Sequence, residues 1–222
     1  MSPPSATPLD QQRFAVVDVE TTGLSAKRHR VVQIAVVTVL ADGTVSDRWS
    51  TNLHPWRWHP DRAKAIHGLG RADLKGSPRF ADVAPELVRR LDGAVLVAHN
   101  AGFDWAFLRR ELRRAGYGAP DATRLCTLKL SRSLDPQRLV SHRLPDVAAR
   151  YGVPVGQQHD ALADATATAA VLPHLLRASE APTLDDLRPI VRGTTSTWPP
   201  YTARSWRHRL RRRHSDVAAP AR

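Results

Sequence analysis

The sequence predicts an α/β protein in which a mixed central sheet, part antiparallel meander and part parallel strands, is flanked by helices. Three strand-like runs near the N-terminus are joined by short links, which is typical of an antiparallel meander. A later buried run leads directly into a helix, which is typical of parallel strand connections. The 222 residues, 42% hydrophobic and 24% charged, suffice for one domain with a full-sized core.

The meander is predicted from runs of β-branched and aromatic residues. The first covers about six residues from Arg13 onward and leads to two carboxylates and a Thr-Thr-Gly turn. The second, at 31–40, is almost continuously β-branched, and an Asp-Gly hairpin signal precedes the third, at 45–53. An irregular segment rich in Trp, His, Pro and Gly follows at 52–78.

The rest of the chain is predicted to hold one further strand and five helices. Helical spacing of apolar residues, glycine stops and one short buried run indicate their boundaries. Pro173 lies late in the last helix and is expected to kink or end it. The strand is expected at 94–98, and the helices at 81–91, 103–115, 125–134, 142–151 and about 160–178.

Composition divides the chain into three regions. Residues 1–12 are polar and proline-bearing, which predicts a flexible leader. Residues 13–178 form the predicted domain. Residues 179–222 combine a Pro- and Thr-containing linker with an Arg-rich C-terminal tail, a composition that predicts disorder.

The cysteine content and the absence of targeting segments indicate a compartment. Cys126 is the only cysteine, so a disulfide framework is excluded and a reducing environment is expected. No apolar run is long enough for a transmembrane segment, and the N-terminus lacks the features of a signal peptide. We therefore expect a cytoplasmic protein.

The net charge of +12 favours a polyanionic partner, either nucleic acid or an anionic membrane surface. The charge is uneven, because residues 201–222 hold seven arginines and one aspartate, a net charge of +6. Such a tail can bind nucleic acid by releasing counterions, and it can equally bind an acidic protein or contact a membrane.

The strongest sign of chemistry is the pair Asp18 and Glu20 at the end of the first strand. Strand side chains alternate between faces, so these two carboxylates point the same way. Like charges on a mostly buried strand repel and are poorly solvated, which a divalent cation between them would relieve. Oxygen ligands suit Mg²⁺ or Mn²⁺, and an exposed strand end with two solvated acids is the alternative.

Two later places hold ionisable residues in unusual settings. Asp104 lies in the first turn of a helix, where the helix dipole by itself favours an acid. At the start of the last helix, Asp160 is the natural N-cap, whereas Asp164 has no such local reason and is assigned to the site. His159 and Asp164 can converge only if His159 precedes the helix on the entering loop.

These positions together offer four carboxylates and one histidine from three separate elements. Two divalent ions about 3.5–4 Å apart, held by such carboxylates, are the usual machinery of phosphodiester hydrolysis. An imidazole titrates near neutral pH and can take the proton of an attacking water.

Three segments in this order resemble the motifs of the DEDDh family of 3′→5′ exonucleases, which includes the proofreading subunit of the bacterial replicative polymerase. The similarity runs from about residue 14 to residue 176. One departure is Gln33, where many members carry Glu, but it lies outside the catalytic set. The motifs are DVETTGL at 18–24, VAHNAGFD at 97–104 and HDALADA at 159–165.

The resemblance implies a ribonuclease H-like fold and dependence on two Mg²⁺ or Mn²⁺ ions. It implies that His159 is the general base and that the metals are held by Asp18, Glu20, Asp104 and Asp164. It also implies contacts with the 3′-terminal nucleotide by Thr21, Thr22, His67, Asn100 and Phe103. A loop histidine that caps a carbonyl is the alternative for His67, and a core anchor is the alternative for Phe103.

The expected function is metal-dependent 3′→5′ exonuclease activity on nucleic-acid 3′ ends, with single-stranded DNA favoured and nucleoside 5′-monophosphates released. A family ribonuclease acting on RNA ends or short oligonucleotides is one alternative. A non-catalytic nucleic-acid-binding module that assists a polymerase is the other, and the Arg-rich tail could bind a polymerase or another acidic partner. Four clustered carboxylates argue against a pure binder, because they repel phosphates.

Overall fold

The computed structural model describes residues 8–55, 63–118, 121–157, 159–194 and 198. The Arg-rich tail predicted at 201–222 lies outside the described residues, as does the part of the leader before Pro8.

In this part of the chain, a short 3₁₀ helix at Leu9–Gln11 precedes three strands, and two further strands are set among the helices that follow. None of these helices has both the length and the apolar composition of a membrane span. The strands are β1 Arg13–Thr21, β2 Val31–Leu40, β3 Val45–Asn52, β4 Val95–Ala98 and β5 Arg124–Cys126. The helices are α1 Lys64–His67, α2 Phe80–Leu91, α3 Ala101–Ala115, α4 Thr127–Ser133, α5 Leu144–Arg150 and α6 Ala161–Ser179.

The five strands form one mixed sheet in the order β3-β2-β1-β4-β5. β2 pairs antiparallel with both β1 and β3, which confirms the predicted meander. β4 pairs parallel with β1, and β5 pairs parallel with β4. Because β1 is the central strand, the carboxylates at its C-terminal end have neighbouring elements on both sides.

Helices cover both faces of the sheet. Phe14 and Val16 of β1 pack in a core with residues of α4, α5 and α6 on one face. Ala15 and Val17 pack with residues of α2 and α3 on the other. Side chains alternate along a strand, so Asp18 and Glu20 share the face of Phe14 and Val16, towards α6.

Two elements differ from the sequence prediction. Residues Arg124–Cys126 form β5 rather than the start of a helix, because their backbone pairs with β4. The short helix α1 lies in the segment that was expected to be irregular. Helix α6 runs to Ser179, close to its predicted end at 178. Pro173 lies inside it, and packing of the buried face of the helix on the sheet offsets the hydrogen bond that proline cannot make.

Residues 181–194 pack against the domain, although their composition predicted a disordered linker. Leu187 and Ile190 are buried in the same core as Leu9, which belongs to the predicted leader. The Leu9 backbone N–H donates to the Pro182 carbonyl oxygen at 3.0 Å. The described ends of the chain on either side of the domain therefore cover its core, and the domain is larger than 13–178.

The backbone on the β5 side ties this C-terminal segment down. Arg124 N–H donates to the Arg192 carbonyl oxygen at 2.7 Å, and Arg192 N–H donates to the Arg124 carbonyl oxygen at 2.9 Å. Further along, the Trp198 ring lies buried with its centroid 6.0 Å from that of Trp105. These contacts join residues that are far apart in sequence. They could therefore not be predicted from the composition of the segment.

Candidate active site

The predicted site lies where the C-terminal end of β1 meets the N-termini of α3 and α6. Carboxylate oxygens of Glu20 and Asp164 and a ring nitrogen of His159 all lie within 4.8 Å of one another. This group could hold a metal ion. Three residues predicted from two distant motifs are thus brought together by the packing of α6 on β1.

The left-handed backbone conformation of His159 places this residue next to Asp164. His159 has φ 63° and directly precedes the helix N-cap Asp160, so it lies on the entering loop, as its spacing from Asp164 required. Its backbone N–H donates to Asp164 Oδ2 at 3.2 Å. The loop conformation and this hydrogen bond hold the imidazole next to a carboxylate five residues further on.

Asp18 and Asp104 complete the acidic cluster. Asp104 is almost completely buried in the first turn of α3, and its carboxylate accepts a hydrogen bond from the Val19 backbone on β1. The charge of Asp104 is the second largest influence on the pKa of Asp18, after burial. The first turn of α3 therefore places Asp104 against β1, in contact with Val19, which lies between Asp18 and Glu20.

Burial raises the pKa values of all four carboxyl groups, and repulsion from neighbouring carboxylates adds to it for Asp18, Glu20 and Asp164. Burial raises the pKa of Glu20 to about 8, with further contributions from Asp164 and Asp104. Burial also raises the pKa of Asp104 to about 7. The pKa of Asp18 is raised well above its usual range by burial and then by the charges of Asp104 and Asp164, and burial raises that of Asp164.

The donor set fits a divalent cation. In the described chain, none of the four carboxylates forms a salt bridge with a lysine or arginine. Their repulsion is therefore left for protons or a cation to neutralise. Carboxylate oxygens are the ligands that Mg²⁺ and Mn²⁺ prefer, and one imidazole beside them is compatible with either ion.

Gln33 has a structural role that sequence reasoning missed. Its Oε1 accepts a hydrogen bond from the Ala161 backbone N–H at 2.8 Å, and its Nε2 donates to Asp160 Oδ2 at 3.0 Å. Asp160 also caps α6, since its Oδ1 accepts from the Ala163 backbone N–H at 2.9 Å. The amide thus joins β2 to the helix start that carries His159 and Asp164. A polar side chain inside the β-branched run of β2 was the available signal.

The hydroxyl groups of Thr21 and Thr22 are used inside the turn that follows β1. Thr21 Oγ1 donates to the Gly23 carbonyl oxygen at 2.9 Å, and Thr22 Oγ1 accepts from the Arg30 backbone N–H at 3.0 Å. Gly23 has φ 150°, and a Cβ there would lie 2.6 Å from the His29 ring. Both threonines are buried, so the structure places them as supports of this turn.

His67 lies close to the candidate site, at the end of α1. It is buried, and its Nδ1 accepts the Leu69 backbone N–H at 3.1 Å. Burial lowers the pKa of His67, and the charge of His159 acts in the same direction. The short helix α1 therefore brings a second imidazole near the first.

The two remaining predicted contacts differ in exposure. Asn100 is the exposed residue before α3 and has φ 81°, a left-handed conformation that asparagine tolerates. Phe103 is half-buried, with its ring centroid 5.0 Å from that of Phe107 in the core. The position of Phe103 agrees with the core-anchor alternative.

A cavity of about 670 Å³ adjoins the acidic cluster, and His159 and Asp164 form part of its wall. Its other walls come from α4, α5, the loop between them, and His99, which follows β4. No sequence motif indicated this cavity, because its lining comes from separate segments.

The sequence matches a known family over most of its length. The family model described as the RNase_T exonuclease family matches residues 15–172. The chain is 31% identical over 166 residues to the DNA polymerase III subunit epsilon of Aquifex aeolicus, covering 73% of this chain and 80% of that protein. It is 35% identical over 184 residues to the 3′-5′ exonuclease DinG of Bacillus subtilis, covering 81% of this chain.

The chain corresponds to only part of several relatives. It spans 20% of the length of the DinG protein. It spans 11% of a PolC-type DNA polymerase III from Halalkalibacterium halodurans, to which it is 35% identical over 165 residues and 74% of this chain.

Solved structures share the fold. Exonuclease X, solved in complex with 5′-overhanging duplex DNA, superposes with a TM-score of 0.64 and 30% identity, covering 81% of this chain and 99% of that one. Exonuclease I of E. coli, solved with an oligonucleotide, has a TM-score of 0.68 at 21% identity, covering 77% and 42%. The chain therefore belongs to the exonuclease family, as the DEDDh motifs implied, and has the ribonuclease H-like fold of its members.

Proposed function

We propose that this chain is a 3′→5′ exonuclease that hydrolyses the terminal phosphodiester bond of a nucleic acid, with single-stranded DNA favoured, and releases nucleoside 5′-monophosphates. The observation that carries the proposal is the gathering of Glu20, His159 and Asp164 within 4.8 Å, next to Asp18 and Asp104. Relatives named as an exonuclease and as a polymerase epsilon subunit support the same activity.

The four carboxylates are assigned to two Mg²⁺ or Mn²⁺ ions. Asp18, Glu20, Asp104 and Asp164 are the residues that would hold them, since they supply oxygen ligands from three elements that share one site. When bound, divalent ions supply positive charge that offsets the negative charge developing on the phosphate. The buried carboxylates must lose their protons to bind a cation, so the raised pKa values predict weak binding at acidic pH.

His159 is assigned as the general base. It is exposed at the edge of the cluster, where it can exchange protons with solvent, and it lies beside Asp164. Its imidazole would take a proton as the water oxygen bonds to phosphorus and the bond to the 3′ oxygen breaks. The new phosphate oxygen remains on the released nucleotide, which leaves as a 5′-monophosphate.

Digestion of a 5′-labelled single-stranded oligonucleotide in Mn²⁺ tests the proposal. We expect a ladder of products shortened from the 3′ end, stopped by EDTA, and mononucleotides bearing 5′-phosphate. Matched RNA and duplex ends in parallel reactions test the expected preference. Absence of shortened products, or the label appearing first in the shortest fragments, would contradict the proposal.

A further inference from the structure

The cavity beside the acidic cluster has a strongly basic lining. Three arginines contribute to its wall: Arg132 from α4, Arg138 from the following loop, and Arg143 at the N-cap of α5. His159 and Asp164 belong to the same wall, so the basic region directly adjoins the candidate site. Acidic and basic groups therefore line one continuous space.

Within the described residues, the positive charges of these three guanidinium groups are not neutralised by an acidic side chain. All three residues are exposed, and within the described residues no hydrogen bond or ion pair from their side chains to an acid is found. Asp135, the acid within the same loop, is occupied elsewhere. Its carboxylate accepts the backbone N–H groups of Leu139 and Val140 at 3.2 and 3.1 Å.

Polar contacts hold the loop that contains Arg138. The buried His142 lies 2.8 Å from Ser131 Oγ through Nδ1 and 3.2 Å from Asp135 Oδ2 through Nε2. Arg150 donates to the Ser141 carbonyl oxygen at 2.7 Å. Arg138 itself has φ 56°, a left-handed conformation, and its backbone N–H donates to the Asp135 carbonyl oxygen at 3.0 Å. The arginines are thus presented from an ordered frame, which lowers the entropy cost of binding an anion.

We propose that this basic cavity binds a backbone phosphate of the same strand, next to the phosphodiester at the acidic cluster. The inference rests on the proposed function and assigns three residues that would contact the strand next to the bond that is hydrolysed. The volume of about 670 Å³ is within the usual range for ligand pockets, and arginine forks match phosphate oxygens. Neutralising three arginines should therefore weaken strand recognition more than the chemistry of a single diester.

Two substrates separate strand recognition from bond hydrolysis. One is a single-stranded 12-mer, and the other is the p-nitrophenyl ester of thymidine 5′-monophosphate, which has one phosphodiester and no neighbouring phosphate. We expect Arg132→Gln, Arg138→Gln and Arg143→Gln combined to lower the ratio of kcat/KM for the 12-mer to that for the ester by at least about tenfold. The loss should lie mainly in KM.

Salt dependence provides a second readout. The slope of log Kd for a fluorescent 12-mer against log salt, measured by anisotropy in Ca²⁺, should fall by about 0.7 for each phosphate that the variant no longer neutralises. Arg177→Gln is the matched control, because Arg177 is an exposed arginine in the last turn of α6, about 20 Å along the helix from Asp164. It should leave both the slope and the substrate ratio as in the unmodified chain.

The outcomes distinguish this inference from the proposed function. An unmodified chain that cleaves neither substrate refutes the proposed function, while the anisotropy slopes still decide whether the arginines contact phosphate. Equal losses on both substrates, or an unchanged ratio and slope in the triple variant with an unchanged unfolding temperature, would overturn the phosphate contact.

Discussion

At the scale of single residues, this protein keeps four carboxylates in an environment that disfavours their charge. Burial raises their pKa values, and in the described chain no lysine or arginine forms a salt bridge with them. Asp160 is only four residues from Asp164, yet its carboxylate is bonded to the helix N-terminus and to Gln33. Asp164 therefore belongs to the acidic cluster, whereas Asp160 has a structural role at the start of α6.

Substitution of each aspartate by alanine should distinguish the catalytic role from the structural one. Asp164→Ala removes a member of the cluster, and we expect nearly all exonuclease activity to be lost. Asp160→Ala removes the helix cap, so we expect most activity to remain while the free energy of unfolding falls by about 1 kcal/mol. Steady-state digestion and urea unfolding measure the two effects. Equal losses of activity would refute the division.

The pKa shifts predict how stability depends on pH. In the metal-free folded protein Glu20 binds its proton up to about pH 8, whereas an ordinary glutamate releases it near 4.5. The folded state binds more protons in this window, so the free energy of unfolding falls as the pH rises through it. Mg²⁺ or Mn²⁺ should raise the unfolding temperature more at pH 8 than at pH 6.

Glu20→Gln is the control for that pH dependence. Its amide cannot ionise, so the metal-free variant should lose stability less steeply between pH 5 and 8 than the unmodified chain. Thermal unfolding at matched pH values measures both slopes. Identical slopes would show that Glu20 is not the group responsible.

At the scale of elements, the site depends on how α6 begins. The Gln33 amide on β2 is both acceptor and donor, matching the Ala161 N–H and the Asp160 carboxylate. The left-handed His159 directly precedes that junction. Two hydrogen bonds from one strand residue thus hold the start of a helix more than 120 residues away, directly after the residue that carries the imidazole.

Gln33→Glu should weaken this junction. At neutral pH the new carboxylate would face Asp160, so a hydrogen bond is replaced by repulsion and the free energy of unfolding should fall by about 1–2 kcal/mol. Gln33→Met, which removes both hydrogen bonds without adding charge, is the matched control and should lose less. Urea unfolding at pH 7 measures both. A Gln33→Glu variant as stable as the unmodified chain would refute the stabilising role of the two Gln33 hydrogen bonds.

At the scale of the whole molecule, the domain includes segments outside the strands and helices of the motif region. Leu187 is 4% exposed and packs in the core with β1 and α6, whereas Leu139 is 76% exposed on the loop beside the cavity. Of these two leucines in irregular segments, only Leu187 is therefore expected to contribute much to the free energy of unfolding.

Leu187→Ala should lower the free energy of unfolding by about 2–4 kcal/mol, because it removes buried apolar surface and leaves a cavity. Leu139→Ala should change it by less than about 0.5 kcal/mol. Chemical denaturation of both variants measures the difference. Equal stability would contradict the packing of 181–194 against the core.

Much of the fold could be predicted from local pattern. The β-branched runs of β1 and β2 and the apolar spacing of α2 and α3 are local properties, so the meander and the main helices were predicted close to their observed bounds. The cluster could also be predicted, since its five residues lie in three motifs with characteristic order. The short strand β5 could not, because pairing with the distant β4 stabilises it, and the four-residue helix α1 is too short to show a helical periodicity.

The sequence by itself determined the family, the order of the longer strands and helices and the residues of the acidic cluster, because these depend on motifs and on periodicity along the chain. Only the tertiary structure decided that Gln33 clamps α6, that 181–194 completes the core, and that three arginines line a cavity beside His159. The physical reason is that each of these arrangements joins segments distant in sequence, so its hydrogen bonds, burial and electrostatics exist only after the chain has folded.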